Sequence, residues 1–222
     1  MTPTGHQTSS YDADGVVAEL SRPAGDPRGV VVLAHGAGGN RHAVILRAIA
    51  AELCDRGLVV ARVDLPYRQR RPKGPPSPST AAADRDGIVA ACAAFRGESA
   101  GPLIVGGHSY GGRQASMAVA TDADLADGLL LTSYPLHPPG KPERLRTEHL
   151  PSITTPTVVV HGSTDPFGTT AEMADAVALI AGPTRVVEIE KVGHDLKPDR
   201  KPTAELTADA VVGFLLTDGG RR

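Results

Sequence analysis

Five short apolar runs constrain this chain most tightly, at residues 29–34, 58–63, 103–105, 128–132 and 157–160, and a further, more polar strand is read at 184–189. Runs this brief and this rich in Val, Leu and Ile belong to strands covered on both faces. Periodic segments between and after them read as helices over about 41–56, 80–96, 114–120, 170–181 and 203–216. Apolar strands alternating with helices predict an α/β fold with a mostly parallel, doubly wound sheet. In such a sheet the loops beyond the strand carboxyl ends converge on one edge. The 222 residues contain no internal repeat, so a single domain spanning 1–222 is expected. An edge strand is expected over 15–20, and the opening MTPTGHQTSS and the basic, proline-rich 68–78 stretch are read as irregular.

The third run feeds directly into Gly106-Gly107-His108-Ser109-Tyr110-Gly111-Gly112-Arg113. In a G-x-S-x-G turn between strand and helix, the serine is held in a strained conformation that lifts its hydroxyl into the open. The first N–H groups of the following helix have no intrahelical partner, and that of Tyr110 can stabilise a developing oxyanion. The bland alternative is a glycine-rich turn whose serine caps the helix.

A second strand, loop and helix unit carries His35-Gly36-Ala37-Gly38-Gly39-Asn40. Its glycines let backbone approach a ligand, as in a phosphate cradle, but neither G-x-x-x-x-G-K-[ST] nor G-x-G-x-x-G is present. The better reading is a second oxyanion donor, the N–H of Ala37, with Gly36 and Gly38 as the neighbouring candidates. A serine nucleophile needs a base and an orienting carboxylate. Of the eight histidines, His6, His137 and His149 lie in irregular segments, His35 and His161 close buried strands, His42 begins a helix, and His108 precedes the serine. His194, between the last strand and the last helix, remains as the base. Asp165, beyond the fifth run, is the candidate acid, with Asp64 as its main rival and Asp195 pointing elsewhere.

The two cysteines, Cys54 and Cys92, sit in Ala-rich helical segments and read as buried free thiols. A formal charge of -2 and 3% aromatic residues argue against nucleic-acid partners. No basic, apolar leader and no run near about 20 apolar residues is present, so a cytoplasmic protein with no membrane partner is expected. No metal or cofactor is called for by the pattern.

Taken together, HGAGGN, RVDLPYRQRRPKGPP, GGHSYGGR, HGSTDPFG and VGHDL resemble the α/β-hydrolase superfamily over nearly the whole chain. Within it they are similar to compact, lidless, dienelactone-hydrolase-like proteins and to the hydrolase-like domain of KANSL-type and testis-expressed proteins. Serine stands here where dienelactone hydrolases carry cysteine, which counts against dienelactone chemistry. The resemblance implies a Ser109, Asp165, His194 triad, an oxyanion hole from Ala37 and Tyr110, and a serine hydrolase acting on small esters or thioesters. It also implies that the proline-rich 133–156 connection, where many relatives insert a helical lid, forms no substantial cap. Gly36, Gly38, Tyr67, Arg70 and Arg113 are the expected substrate-binding residues, with Arg68, Arg71 and Lys73 considered for an anion subsite. A small-molecule ester is the expected partner, and a homodimer the association considered. The alternatives are a non-catalytic scaffold of the same fold and a peptidase using the same triad.

Overall fold

In a computed structural model the protein is described over residues 6–216. The elements run β1 (Gln7–Ala13), β2 (Val16–Arg22), β3 (Gly29–Ala34), α1 (Val44–Asp55), β4 (Leu58–Asp64), α2 (Pro66–Arg70), α3 (Ala81–Phe95), β5 (Leu103–His108) and α4 (Tyr110–Thr121). They continue with β6 (Gly128–Thr132), β7 (Thr157–Gly162), α5 (Thr170–Val177), β8 (Thr184–Ile189) and α6 (Thr203–Leu215). The strands form one 8-stranded sheet in the order β1-β2-β4-β3-β5-β6-β7-β8. From β4 to β8 every pairing is parallel, whereas β1 with β2 and β2 with β4 are antiparallel.

The alternation along each strand explains why these runs are so apolar. Val30, Val32 and Ala34 of β3 face a core shared with Ile88 and Phe95 of α3, Ala115 and Val119 of α4, and Met173 of α5. Val31 and Leu33 face the opposite core, with Leu46 and Ile49 of α1 and Ala208 and Val211 of α6. A strand buried on both sides has no polar position to spare. Both cysteines are free and buried, and burial pushes their thiols up, to about 11 for Cys54 and about 12 for Cys92. Such thiols carry little reactive thiolate at neutral pH.

Three expectations need correction. The edge strand is a hairpin, because Asp14 and Gly15 both take positive φ (54° and 77°) and turn β1 back along β2. The polar start is therefore strand from Gln7 onward, tied down by the Tyr11 ring 5.0 Å from that of Phe95; its first five residues lie outside those described. The basic segment is not wholly irregular, since Pro66 starts a short helix whose Tyr67 N–H donates to the Asp84 carboxylate of α3. Finally, α5 ends at Val177, four residues short of the predicted 181.

Between β6 and β7 the only helical turn is a short one at Leu150–Ser152, so no helical lid covers the sheet edge. Among the described residues, no helix is long and apolar enough to cross a membrane.

Candidate active site

Ser109 stands at the carboxyl end of β5 with φ 52° and ψ -116°, a conformation disfavoured for a residue with a side chain. Its neighbours hold it there. The Ser109 N–H donates to the Thr132 carbonyl at 2.8 Å, and its own carbonyl accepts the Arg113 N–H at 3.0 Å in the first turn of α4. A Cβ on Gly107 would lie 2.1 Å from the Ala34 carbonyl oxygen, and one on Gly111 2.5 Å from the same atom. Only glycine lets β5 and α4 press this closely on β3.

The acid and base loops are locked to each other. Thr164 N–H donates to the Val192 carbonyl at 2.9 Å, Ser163 N–H to that of Ile189 at 3.0 Å, and Lys191 N–H to the Ser163 hydroxyl at 2.9 Å. Gly162 permits the approach, since a Cβ there would come within 2.6 Å of the Val192 and Gly193 carbonyl oxygens. Leu196, fully buried, anchors the far end of the histidine loop.

These constraints bring three distant side chains into one chain of hydrogen bonds. His194 Nε2 lies 2.7 Å from Ser109 Oγ, and His194 Nδ1 lies 2.8 Å from Asp165 Oδ2 and 3.1 Å from Oδ1. The Asp165 side chain is completely buried, and its Oδ1 also accepts the Phe167 N–H at 2.9 Å. Carboxylate contact at Nδ1 places the proton there and leaves Nε2 as the acceptor facing the serine hydroxyl. The Phe167 ring, 4.2 Å from that of His194, screens one imidazole face. His108 packs 5.3 Å away on another side. Burial, and then the neighbouring His194, push the His108 ring down to about 3, so it stays neutral beside the base.

The loop after β3 is shaped from beneath. The Tyr67 hydroxyl donates to the Ala37 carbonyl at 2.8 Å and the Gly36 carbonyl at 3.3 Å, while the Arg68 guanidinium reaches the carbonyls of Gly39 and Ala37 at 2.7 and 3.3 Å. In a trans peptide the N–H points opposite the C=O, so holding the Gly36 carbonyl downward turns the Ala37 N–H away from Tyr67. Ala37, Ser109 and Tyr110 line one cleft of about 500 Å³. Asp84, fully buried on α3, joins the two donor-bearing segments, accepting the Tyr67 N–H at 2.9 Å and the Tyr110 hydroxyl at 2.8 Å.

The remaining expected residues separate. Gly36 lies against the elbow, where a Cβ would be 3.3 Å from the His108 ring, whereas Gly38 is exposed with nothing within 4 Å of a Cβ. Arg113 lines the cleft. Tyr67 and Arg70 do not: Tyr67 is buried under the glycine loop that its hydroxyl supports, and Arg70 is exposed at the outer end of α2. Nor do Arg68, Arg71 and Lys73 line the cleft, Arg68 being held on backbone carbonyls and Arg71 donating to the Pro75 carbonyl. The rival acid, Asp64, is occupied by the Arg41 N–H at 2.7 Å and the Arg41 guanidinium. His35, as expected for a structural histidine, is satisfied, its Nδ1 donating to the Gly36 carbonyl and its Nε2 accepting the Leu65 N–H. Sequence reasoning missed Asp84, Arg85, Gln114 and Arg146, which lie in Ala-rich helix, elbow helix or irregular chain and carry no motif. Among the described residues no group of three or more His, Cys, Asp and Glu side chains could hold a metal ion.

Comparison with known proteins gives the same architecture. Dienelactone hydrolase of Anabaena variabilis superposes with a TM-score of 0.72 at 20% identity, over 95% of this chain and 98% of that one. Est1E of Butyrivibrio proteoclasticus with bound ferulic acid gives 0.74 at 16% identity, over 94% and 100%. A Xanthomonas campestris protein described as an α/β serine hydrolase without a lid gives 0.66 at 16% identity, over 96% and 95%. The model of the alpha/beta hydrolase domain family matches residues 27–212, from the loop before β3 into α6. The chain therefore belongs to the α/β-hydrolase family, in the lidless form of the fold.

Proposed function

We propose that the protein is a serine hydrolase that cleaves carboxylic ester or thioester bonds of small substrates through an acyl-enzyme. The observation that carries this reading is the placement of His194 Nε2 at 2.7 Å from Ser109 Oγ with its Nδ1 on the buried Asp165. Ser109 Oγ attacks the ester carbonyl as His194 Nε2 takes its proton, and the N–H groups of Ala37 and Tyr110 receive the negative charge on oxygen. The tetrahedral intermediate collapses, the C–O or C–S bond to the leaving group breaks, and His194 returns the proton to that group. Water then attacks the acyl-enzyme with His194 again as base, releasing the acid and restoring the Ser109 hydroxyl. Asp165 holds the ring and offsets the imidazolium charge throughout.

With no helical lid between β6 and β7, the cleft suits short or flexible acyl groups. A panel of ester and thioester substrates, run with fluorophosphonate labelling mapped by peptide mass, tests the reading. We expect labelling at Ser109 alone, comparable turnover of acetyl and butyryl esters and a steep fall for long chains. No labelling, or labelling at another residue, would exclude it.

A further inference from the structure

The cleft beside Ser109 has a chemical character that the triad does not use. Arg85 of α3, Arg113 of α4 and Arg146 of the 133–156 connection all line it. Among the described residues none of the three forms a salt bridge, the arginines that do being Arg22, Arg41, Arg56, Arg62, Arg96 and Arg200. The partners of two of them are neutral: Arg85 donates to the Gln114 side-chain carbonyl at 3.1 Å and Arg146 to the Pro135 carbonyl at 2.9 Å. No carboxylate among the described residues therefore pairs directly with these three guanidinium groups. Arg113 is close enough to act on Arg146, which is pushed below its ordinary value first by burial and then by Arg113.

A second observation is independent of charge. Arg113 Nε and Gln114 Nε2 are buried and have no hydrogen-bond partner, although Gln114 is completely buried. Buried donors without acceptors are rare in folded proteins because each forfeits its hydration. Both residues belong to the wall of this cleft and both unmet atoms are donors, whereas an ionised carboxylate offers acceptors only. A guanidinium fork matches that group in shape as well as charge.

We propose that Arg113, Arg146, Arg85 and Gln114 form a subsite for a carboxylate carried on the acyl part of the substrate, so that the preferred esters are hemiesters of dicarboxylic acids. The inference rests on the serine hydrolase reading. The acyl side is specified by the cleft itself, which Ser109, Ala37 and Tyr110 line and His194 does not. The leaving alcohol takes its proton from His194 and departs toward it, whereas the part still bonded to Ser109 extends along the cleft. Arg113 lies one helical turn beyond Ser109, and Met117 and Pro135 supply apolar walls for the intervening methylenes.

The test compares ethyl hydrogen succinate, glutarate, adipate and pimelate with ethyl esters of chain-matched monocarboxylic acids. Wild type is run beside Arg146→Gln, Arg146→Glu and Arg85→Gln, each checked for folding and for Ser109 labelling. The expected result is a kcat/KM advantage of about 10- to 100-fold for one or more hemiesters. That ratio should fall about tenfold in Arg146→Gln or Arg85→Gln, drop below one in Arg146→Glu, and shrink with added salt. A wild-type ratio near one, or a ratio unchanged in every folded variant, with Ser109 still labelled, would overturn the subsite and leave the hydrolase reading intact. Absence of labelling in wild type would remove the hydrolase reading and the subsite with it.

Discussion

Gly107 and Gly111 hold no chemistry, yet the strained backbone of Ser109 depends on them, because the Ala34 carbonyl occupies the space that a side chain at either position would need. Replacing either by Ala should lower the free energy of unfolding by about 2–4 kcal/mol, since backbone rather than a flexible side chain must give way. Gly38→Ala is the internal control: with nothing within 4 Å of the added carbon, its effect should stay within about 0.5 kcal/mol. Urea denaturation of the three variants measures this. Equal costs at 38 and 107 would mean that the close approach of β5 to β3 is not what constrains the elbow.

Among elements, α2 and α3 act on the site without entering it. Tyr67 grips the carbonyls of Gly36 and Ala37, and Asp84 binds both α2 and the Tyr110 hydroxyl at the start of α4, so the two proposed oxyanion donors rest on one buried carboxylate. Tyr67→Phe removes the grip and keeps the ring. Because an oxyanion forms only in the transition state, kcat should fall about 10-fold while KM changes little. Steady-state kinetics check this, and a raised KM with unchanged kcat would assign Tyr67 to substrate binding instead. This layer was illegible in the sequence for a physical reason. Asp84 sits in an Ala-rich helix where a carboxylate ordinarily faces water, and its two partners come from 17 and 26 residues away. Arg146 is equally silent, placed by folds of the connection such as the Tyr134 hydroxyl on the Arg146 carbonyl, which leave no period. Ser109, Asp165 and His194 could be picked out because each follows a strand of the parallel sheet at the same sheet edge. The edge hairpin escaped because β1 exposes both faces, and only Asp14-Gly15 announces its turn.

Over the whole molecule, several histidines are held neutral by burial. His108 is pushed down to about 3 and His149 to about 4, and burial also lowers His35 and His161. Each would take up a proton near pH 6.5 in the unfolded chain and resists it when folded. Unfolded protein therefore binds more protons as the pH falls below about 6.5, and stability should decline progressively from there toward the folded values. The urea midpoint should drop between pH 7 and pH 5, and a midpoint that rises over that interval would contradict the neutral assignment. The general architecture was legible because β3 to β7 are covered on both faces, which restricts them to largely apolar runs, whereas β8 at the sheet edge is mostly exposed. What the sheet accomplishes is to bring one residue from each of three late loops into a single hydrogen-bonded line. Groups that act as one unit lose function together, so the decisive measurement is kcat for Ser109→Ala, His194→Ala and the double variant on one ester. The account predicts that each single change costs about 10⁶ and that the double costs no more. Losses that multiply, or a Ser109→Ala protein with undiminished turnover, would contradict it.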